Sequence, residues 1–178
     1  FTLTVFDTVA EKVPKFDDID LRETGFIPMD WLRPRGYTRL VDTAVERIAE
    51  LRKKVDLVET PEPTSRPTSD DDSTVWQGIF VILTDGQDNQ SHHSSSRLKR
   101  EIVNLTEQGI QCYFLGANQD AIMVGKDIGL SRGQCCTFNS NSDSLNTALK
   151  SVGAAYTRSQ EPDECFEFSQ QERESCLI

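Results

Sequence analysis

Two aspartates flank a glycine directly after an apolar segment, and their oxygen atoms could bind a cation. Residues 79–84, "IFVILT", lead into Asp85, Gly86, Gln87, Asp88 and Asn89. Carboxylate and amide oxygens are the ligands that hard divalent ions such as Mg²⁺ prefer. Asp-Gly after a strand is also a common turn signal, so Asp85 has two interpretations, metal ligand and turn residue. Its position in the fold has to decide between them.

The elements around this loop indicate a parallel sheet. Residues 79–84 and 110–116 are almost entirely apolar, and a helical pattern starting near Ser95 and stopping at Gly109 connects them. Apolar strands joined by a helix are typical of parallel sheets covered on both faces. The other predicted elements are a strand at 1–8, a helix from 38 to about 55, a short helix within 121–130, a strand at 134–138 and a helix at 142–156.

This order predicts an α/β fold of the doubly wound, Rossmann-like type, with a mostly parallel sheet and helices on both faces. In such sheets ligands bind outside the carboxyl ends of the strands. Asp85 stands at one of those ends, which favours the ligand interpretation.

The amino-acid composition limits the classes of binding partner that we expect. The 178 residues include 19 Lys and Arg against 29 Asp and Glu, a net charge of −10. A general affinity for nucleic acid or for anionic membrane surfaces is therefore not expected, and no segment approaches the roughly 18 apolar residues of a membrane span. Five cysteines without CxxC spacing indicate free thiols in a reducing compartment, so we expect a cytoplasmic protein.

We expect one domain over residues 1–158, interrupted by a solvated insertion at 59–74 and followed by an acidic tail at 159–178. The insertion "ETPEPTSRPTSDDDST" has three prolines and an acidic triplet, which suit a solvated segment better than a core. The tail "EPDECFEFSQQERESCLI" is acidic and weakly patterned, which leaves open whether it docks on the domain.

Three segments resemble a known family. "GYTRLVDTAVERI" is similar to the Gly-x-Thr-x-Leu-x-Asp-Ala element of von Willebrand factor A (VWA) domains, and "FVILTDGQDN" is similar to their Thr-Asp-Gly element. "FLGANQDAIMVGKDIGL" resembles a subgroup of mostly uncharacterised bacterial, phage and microbial members. The resemblance extends from about residue 1 to about residue 156.

The resemblance implies a metal-ion-dependent adhesion site (MIDAS) on a protein-binding module. Thr38 and Asp85 would be the ligands, and Asp88 would orient a ligand or a water beside them. The ion would be Mg²⁺, with Mn²⁺ or Ca²⁺ as substitutes, and an acidic residue of a protein partner would complete its shell within a larger assembly.

One family element is missing from the chain. No Asp-x-Ser-x-Ser sequence occurs, and "FTLTVFDT" matches the family's second strand, so the first strand and its metal loop are expected to be absent from this chain. Two interpretations stay open: the loop is supplied from outside the given residues, or the metal site is degenerate and holds no ion.

The degenerate case predicts a structural component of a viral particle or another large complex. A metal-assisted phosphotransfer enzyme is the least favoured alternative, because Asp85 and Asp88 lack Asp-x-Asp spacing and there is no Gly-Lys-Ser/Thr loop. We therefore expect no catalytic residues. His92 and His93 are interpreted as a solvated pair and Asp7 as structural.

Overall fold

Three parallel strands carry the candidate loop. The computed structural model describes residues 1–23, 37–58, 78–159 and 167–178. In these ranges β3 (Gly78–Thr84), β4 (Ile110–Ala117) and β5 (Cys135–Phe138) form a sheet in the order β3-β4-β5, with both pairs parallel. The register pairs Thr84 with Gly116, so β3 and β4 end together at the carboxyl edge of the sheet.

Helices connect and cover these strands. They are α1 (Leu40–Val58), α2 (Ser95–Glu107), α3 (Ala121–Asp127), α4 (Ser142–Arg158) and α5 (Gln170–Ser175). The sequence sets their ends: Ser94, Asp120 and Asn141 cap α2, α3 and α4 by accepting hydrogen bonds from main-chain amides of the first turn. Gly109 follows α2 with a φ of 83°, a conformation that glycine adopts without strain.

Two apolar clusters lie on opposite faces of the sheet. Alternate residues of β4 divide between them: Cys112 and Phe114 pack with α1, α2 and α3, whereas Tyr113 and Leu115 pack with α4 and with the residues that flank α5. The adjacent Cys135 and Cys136 divide in the same way, as expected for neighbouring strand residues. The α/β class, the parallel strands and helices on both faces are therefore present, and the doubly wound VWA-like arrangement stays a prediction.

The side chains of β3 are more exposed than expected for a strand of a sheet that is covered on both faces. Its side chains Ile79 and Val81 are 39% and 38% exposed, whereas β4 is buried along nearly its whole length. The position of the strands explains the difference, because β4 lies between two strands whereas β3 is an outer strand of the sheet that the described residues form. An apolar sequence therefore does not by itself distinguish a central strand from an edge strand.

The first predicted strand is shorter than expected and belongs to a separate hairpin. β1 (Thr4–Phe6) pairs antiparallel with β2 (Ala10–Lys12) in a two-stranded sheet. The chain reverses at Asp7, whose carboxylate accepts a hydrogen bond from the Val9 amide at 2.9 Å. Phe6 packs against the α1 side of the core.

The C-terminal segment 167–178 docks on the domain. Phe168 and Cys176 are 2% and 0% exposed and belong to the α4 cluster. Arg158 binds Glu172 through two hydrogen bonds of 2.8 Å, which ties the end of α4 to α5. The C-terminal segment, which follows residue 158, therefore contributes Phe168 and Cys176 to the core.

The insertion at 59–74 lies outside the described residues, as do Trp31, Trp76 and Cys165. None of the described helices combines the length and the apolar character that crossing a membrane requires.

Candidate functional site

The segment before α1 is bonded to the loop that follows β3. The Thr38 amide donates to the Asn89 side-chain oxygen at 2.9 Å. The Thr38 carbonyl accepts from the amides of Asn89 at 3.1 Å and Gln90 at 3.2 Å. These three hydrogen bonds span about fifty residues of sequence and bring the two predicted ligand segments together at the carboxyl edge of the sheet.

Gly86 allows the close approach of Thr38. A Cβ atom on Gly86 would lie 3.2 Å from the Thr38 hydroxyl oxygen, closer than most side chains tolerate. Thr84 holds the turn from the strand side, because its hydroxyl donates to the Gly86 carbonyl at 3.0 Å and accepts from the Gly86 amide at 3.2 Å. The Thr38 oxygen therefore lies beside the residue that follows Asp85.

Asp85 and Thr38 keep their side-chain oxygens available. Asp85 is exposed, and neither its carboxylate nor the Thr38 hydroxyl forms a hydrogen bond with another described residue. α1 begins at Leu40, so Thr38 precedes the helix and does not cap it through its hydroxyl.

Asp88 has a local partner. Its carboxylate accepts from the Ser91 amide at 3.2 Å, a contact within its own loop. Asp88 therefore shapes the loop that carries Asp85, and no described contact joins it to Thr38 or Asp85.

The turn after β1 also reaches this edge. The Asp7 carbonyl accepts from the Arg39 amide at 3.0 Å, and the Thr8 hydroxyl oxygen lies 3.4 Å from the Tyr37 amide. Three segments, around residues 7–8, 37–39 and 85–91, thus form one surface.

Asp42 is the residue that sequence analysis missed. It lies in the first turn of α1, is 2% exposed and accepts from the main-chain amides of His92, at 3.0 Å, and His93, at 2.8 Å. Arg39 donates to the same carboxylate at 3.1 Å, and the Asp42 amide donates to the Ser91 hydroxyl at 3.0 Å. One buried carboxylate therefore fastens the far end of the loop to the helix.

The ring of each histidine also contacts Asp42. His92 Nδ1 lies 3.2 Å from Oδ2 and His93 Nδ1 lies 2.7 Å from Oδ1. Burial by itself would raise the pKa of Asp42, but the hydrogen bonds from His92, His93 and Arg39 outweigh it and hold that pKa far below its ordinary range. The histidines are thus held by a permanent anion rather than simply solvated.

Chemically, the Thr38 and Asp85 oxygens fit a hard divalent ion, which takes oxygen ligands and retains several waters. The described residues contain no group of three or more His, Cys, Asp and Glu side chains that could enclose an ion. The surface could therefore supply two ligands, with the remaining positions filled by water or by a partner.

No protein-family model and no curated protein matches this chain.

A shallow groove of about 440 Å³ lies elsewhere, between α4 and α5. Its lining includes Lys150, Ser151, Arg158 and Glu172, none of which belongs to the loops at the carboxyl edge. The groove is open to solvent, and Arg158 and Glu172 form hydrogen bonds with each other there.

Proposed function

We propose that this chain is a non-catalytic, VWA-like protein-binding module that engages a protein partner through a divalent cation held by Thr38 and Asp85. The ion is Mg²⁺, with Mn²⁺ or Ca²⁺ as substitutes. The partner contributes an acidic side chain to the ion, within a larger assembly.

The observation that carries the proposal is the pairing of the two ligand segments. Thr38 and the Asp85 loop come from distant parts of the sequence, yet three hydrogen bonds join them, two between main-chain groups and one from the Thr38 amide to the Asn89 side chain. Gly86 leaves room for the Thr38 hydroxyl, and the oxygens of Thr38 and Asp85 are free of other described partners. The motifs around both residues also resemble those of VWA domains.

The partner's chemistry follows from the ion. Two protein ligands leave most of an octahedral shell to water, and a hard ion exchanges such water for another carboxylate. The net charge of −10 makes direct attraction of an acidic partner unfavourable without a cation between the two surfaces. Binding should therefore require the metal.

The test is calorimetric titration of Mg²⁺ and Mn²⁺ into the chain and into Asp85→Asn and Thr38→Val, which remove a charge and a hydroxyl with little change in size. We expect both variants to fold like the parent and to lose metal binding. Asp127→Asn is the matched control, because Asp127 is exposed at the end of α3 and its replacement changes the net charge equally.

Water-proton relaxation with Mn²⁺ tests the open coordination positions. Bound Mn²⁺ should enhance relaxation, and acetate, the simplest analogue of a partner carboxylate, should reduce the enhancement as it displaces water.

Equal metal binding by the parent and Asp85→Asn would contradict the proposed ligand set. The absence of binding in all forms would favour the second candidate, a structural component of a viral particle or other large complex. The Asp42 contacts make that candidate physically reasonable, because they hold the loop in place without any ion.

A further inference from the structure

His92 and His93 are oriented in a way that a solvated pair does not require. Their Nδ1 atoms contact different oxygens of the Asp42 carboxylate, at 3.2 Å and 2.7 Å. Their main-chain amides bond to the same carboxylate, so both backbone and ring of each residue are fixed. The side chains remain 84% and 49% exposed, so the opposite sides of the rings face solvent.

The carboxylate determines which ring nitrogen carries the proton. An ionised carboxylate only accepts hydrogen bonds, so Nδ1 must be the donor in both rings. A neutral imidazole has one donor nitrogen and one acceptor nitrogen, and the acceptor is therefore Nε2 in both residues. Each ring therefore keeps an Nε2 lone pair on a side chain that is largely exposed.

A histidine that donates Nδ1–H to a carboxylate and presents Nε2 has the arrangement that proteins use to orient metal-binding imidazoles. We infer that His92 and His93 bind a transition-metal ion of the Zn²⁺, Ni²⁺ or Cu²⁺ class through Nε2, with Asp42 as the positioning residue. This site does not depend on the proposed function, because its nitrogen ligands favour metals other than the hard ions expected at Thr38 and Asp85.

The described residues provide no third His, Cys, Asp or Glu side chain for this ion. Among the described residues only water is then left to complete its coordination, and a side chain from a partner can replace that water. The site is of an open type, suited to joining two surfaces rather than to stabilising the fold.

The chain contains only two histidines, so imidazole signals report on this site alone. The experiment is a Zn²⁺ titration of the ¹⁵N-labelled full chain, purified without a histidine tag, followed by long-range ¹H–¹⁵N spectra of the rings. We expect both rings to be Nδ1–H tautomers before addition and both Nε2 signals to shift with one saturable equivalent of Zn²⁺. Mg²⁺ should leave both rings unchanged.

Three variants test the assignment. His92→Gln and His93→Gln should each weaken Zn²⁺ binding by about 10-fold or more, and Asp42→Asn should weaken it about 10- to 100-fold by releasing the rings. Ser95→Ala, an exposed change two residues further on, is the control and should bind Zn²⁺ like the parent.

The inference is overturned if either ring is an Nε2–H tautomer. It is also overturned if the ring signals do not respond to millimolar Zn²⁺, or if both histidine variants bind Zn²⁺ as tightly as the parent. Because both histidines are exposed, the histidine variants remain informative even if Asp42→Asn is too unstable to study.

Discussion

Replacing Asp42 should destabilise the protein more than replacing any exposed acid. In Asp42→Ala the main-chain amides of His92 and His93 lose their acceptor, and Arg39 loses its hydrogen bond to Asp42 while Glu46 stays 3.8 Å away. Breaking a buried charged interaction of this kind costs about 3–5 kcal/mol. The imidazole contacts add little to this figure, because both rings are exposed and can bond to water instead.

Asp42→Asn removes the negative charge of the side chain but keeps one of its two hydrogen-bond acceptors. Asparagine keeps one carbonyl oxygen for the two amides but loses the second oxygen, which accepts from Arg39. The loss of about one charge-assisted hydrogen bond predicts a cost of about 1.5–3 kcal/mol. The free energy of unfolding should therefore fall in the order parent, Asp42→Asn, Asp42→Ala.

Urea denaturation monitored by circular dichroism measures these free energies, with Asp127→Asn as the control for a lost surface charge. Amide hydrogen exchange at His92 and His93 should accelerate in both Asp42 variants. An Asp42→Ala protein within about 0.5 kcal/mol of the parent, the range of ordinary surface changes, would refute the role assigned to this carboxylate.

The same contact predicts acid sensitivity. The pKa of Asp42 is lowered in the folded state, so its contribution to stability is fully present above the unfolded value of about 3.9 and is lost as pH falls below that value. The unfolding free energy of the parent should therefore drop more steeply below about pH 4 than that of Asp42→Asn. Parallel curves for the two proteins would contradict this assignment.

Two further predictions concern helix glycines and buried thiols. Gly153→Ala should stabilise α4 by about 0.5–1 kcal/mol, because no atom lies within 4 Å of the added methyl group. Gly125→Ala should destabilise the protein, because its methyl group would lie 2.1 Å from the Cys135 sulphur. Thermal unfolding of the two variants should show a higher melting temperature for the first and a lower one for the second. Burial raises the pKa of the Cys112 and Cys135 thiols to about 12. In a Cys165→Ser variant the native protein should therefore react with a thiol reagent far more slowly than the urea-unfolded protein. Equal reaction rates would contradict the burial of these thiols.

Periodicity was sufficient to predict most elements of the fold. The apolar spacing along α1 and α2 and the continuous apolar sequence of β4 gave the helices, the central strand and the parallel connection. The β1–β2 hairpin was not predicted, because strands of three residues are too short to show a pattern. The apolar part of the tail's docking rests on Phe168 and Cys176, which are separated by polar and charged residues that hide the spacing.

Sequence analysis predicted only part of the candidate site. Thr38 and Asp85 were predicted from strand-end position and motif resemblance. Asp42 occupies the aspartate position of the same motif but was given no role, because its partners lie about fifty residues away in the sequence. A signal existed nonetheless: Asp42 occurs within the stripe formed by Val41 and Val45, where an acid is unfavourable unless polar donors accompany it.

The attachment of the 85–93 loop at two places has a thermodynamic consequence. Thr38 holds its middle at Asn89 and Gln90 and Asp42 holds its far end, so the ordering entropy of this segment is lost when the chain folds rather than when a ligand arrives. A binding partner would then meet a preorganised surface, and its affinity would depend on the contacts it makes rather than on ordering the loop. Free and bound forms should superpose closely here, and ligand binding should protect the amino-terminal turns of α1 from local unfolding as well as the loop itself.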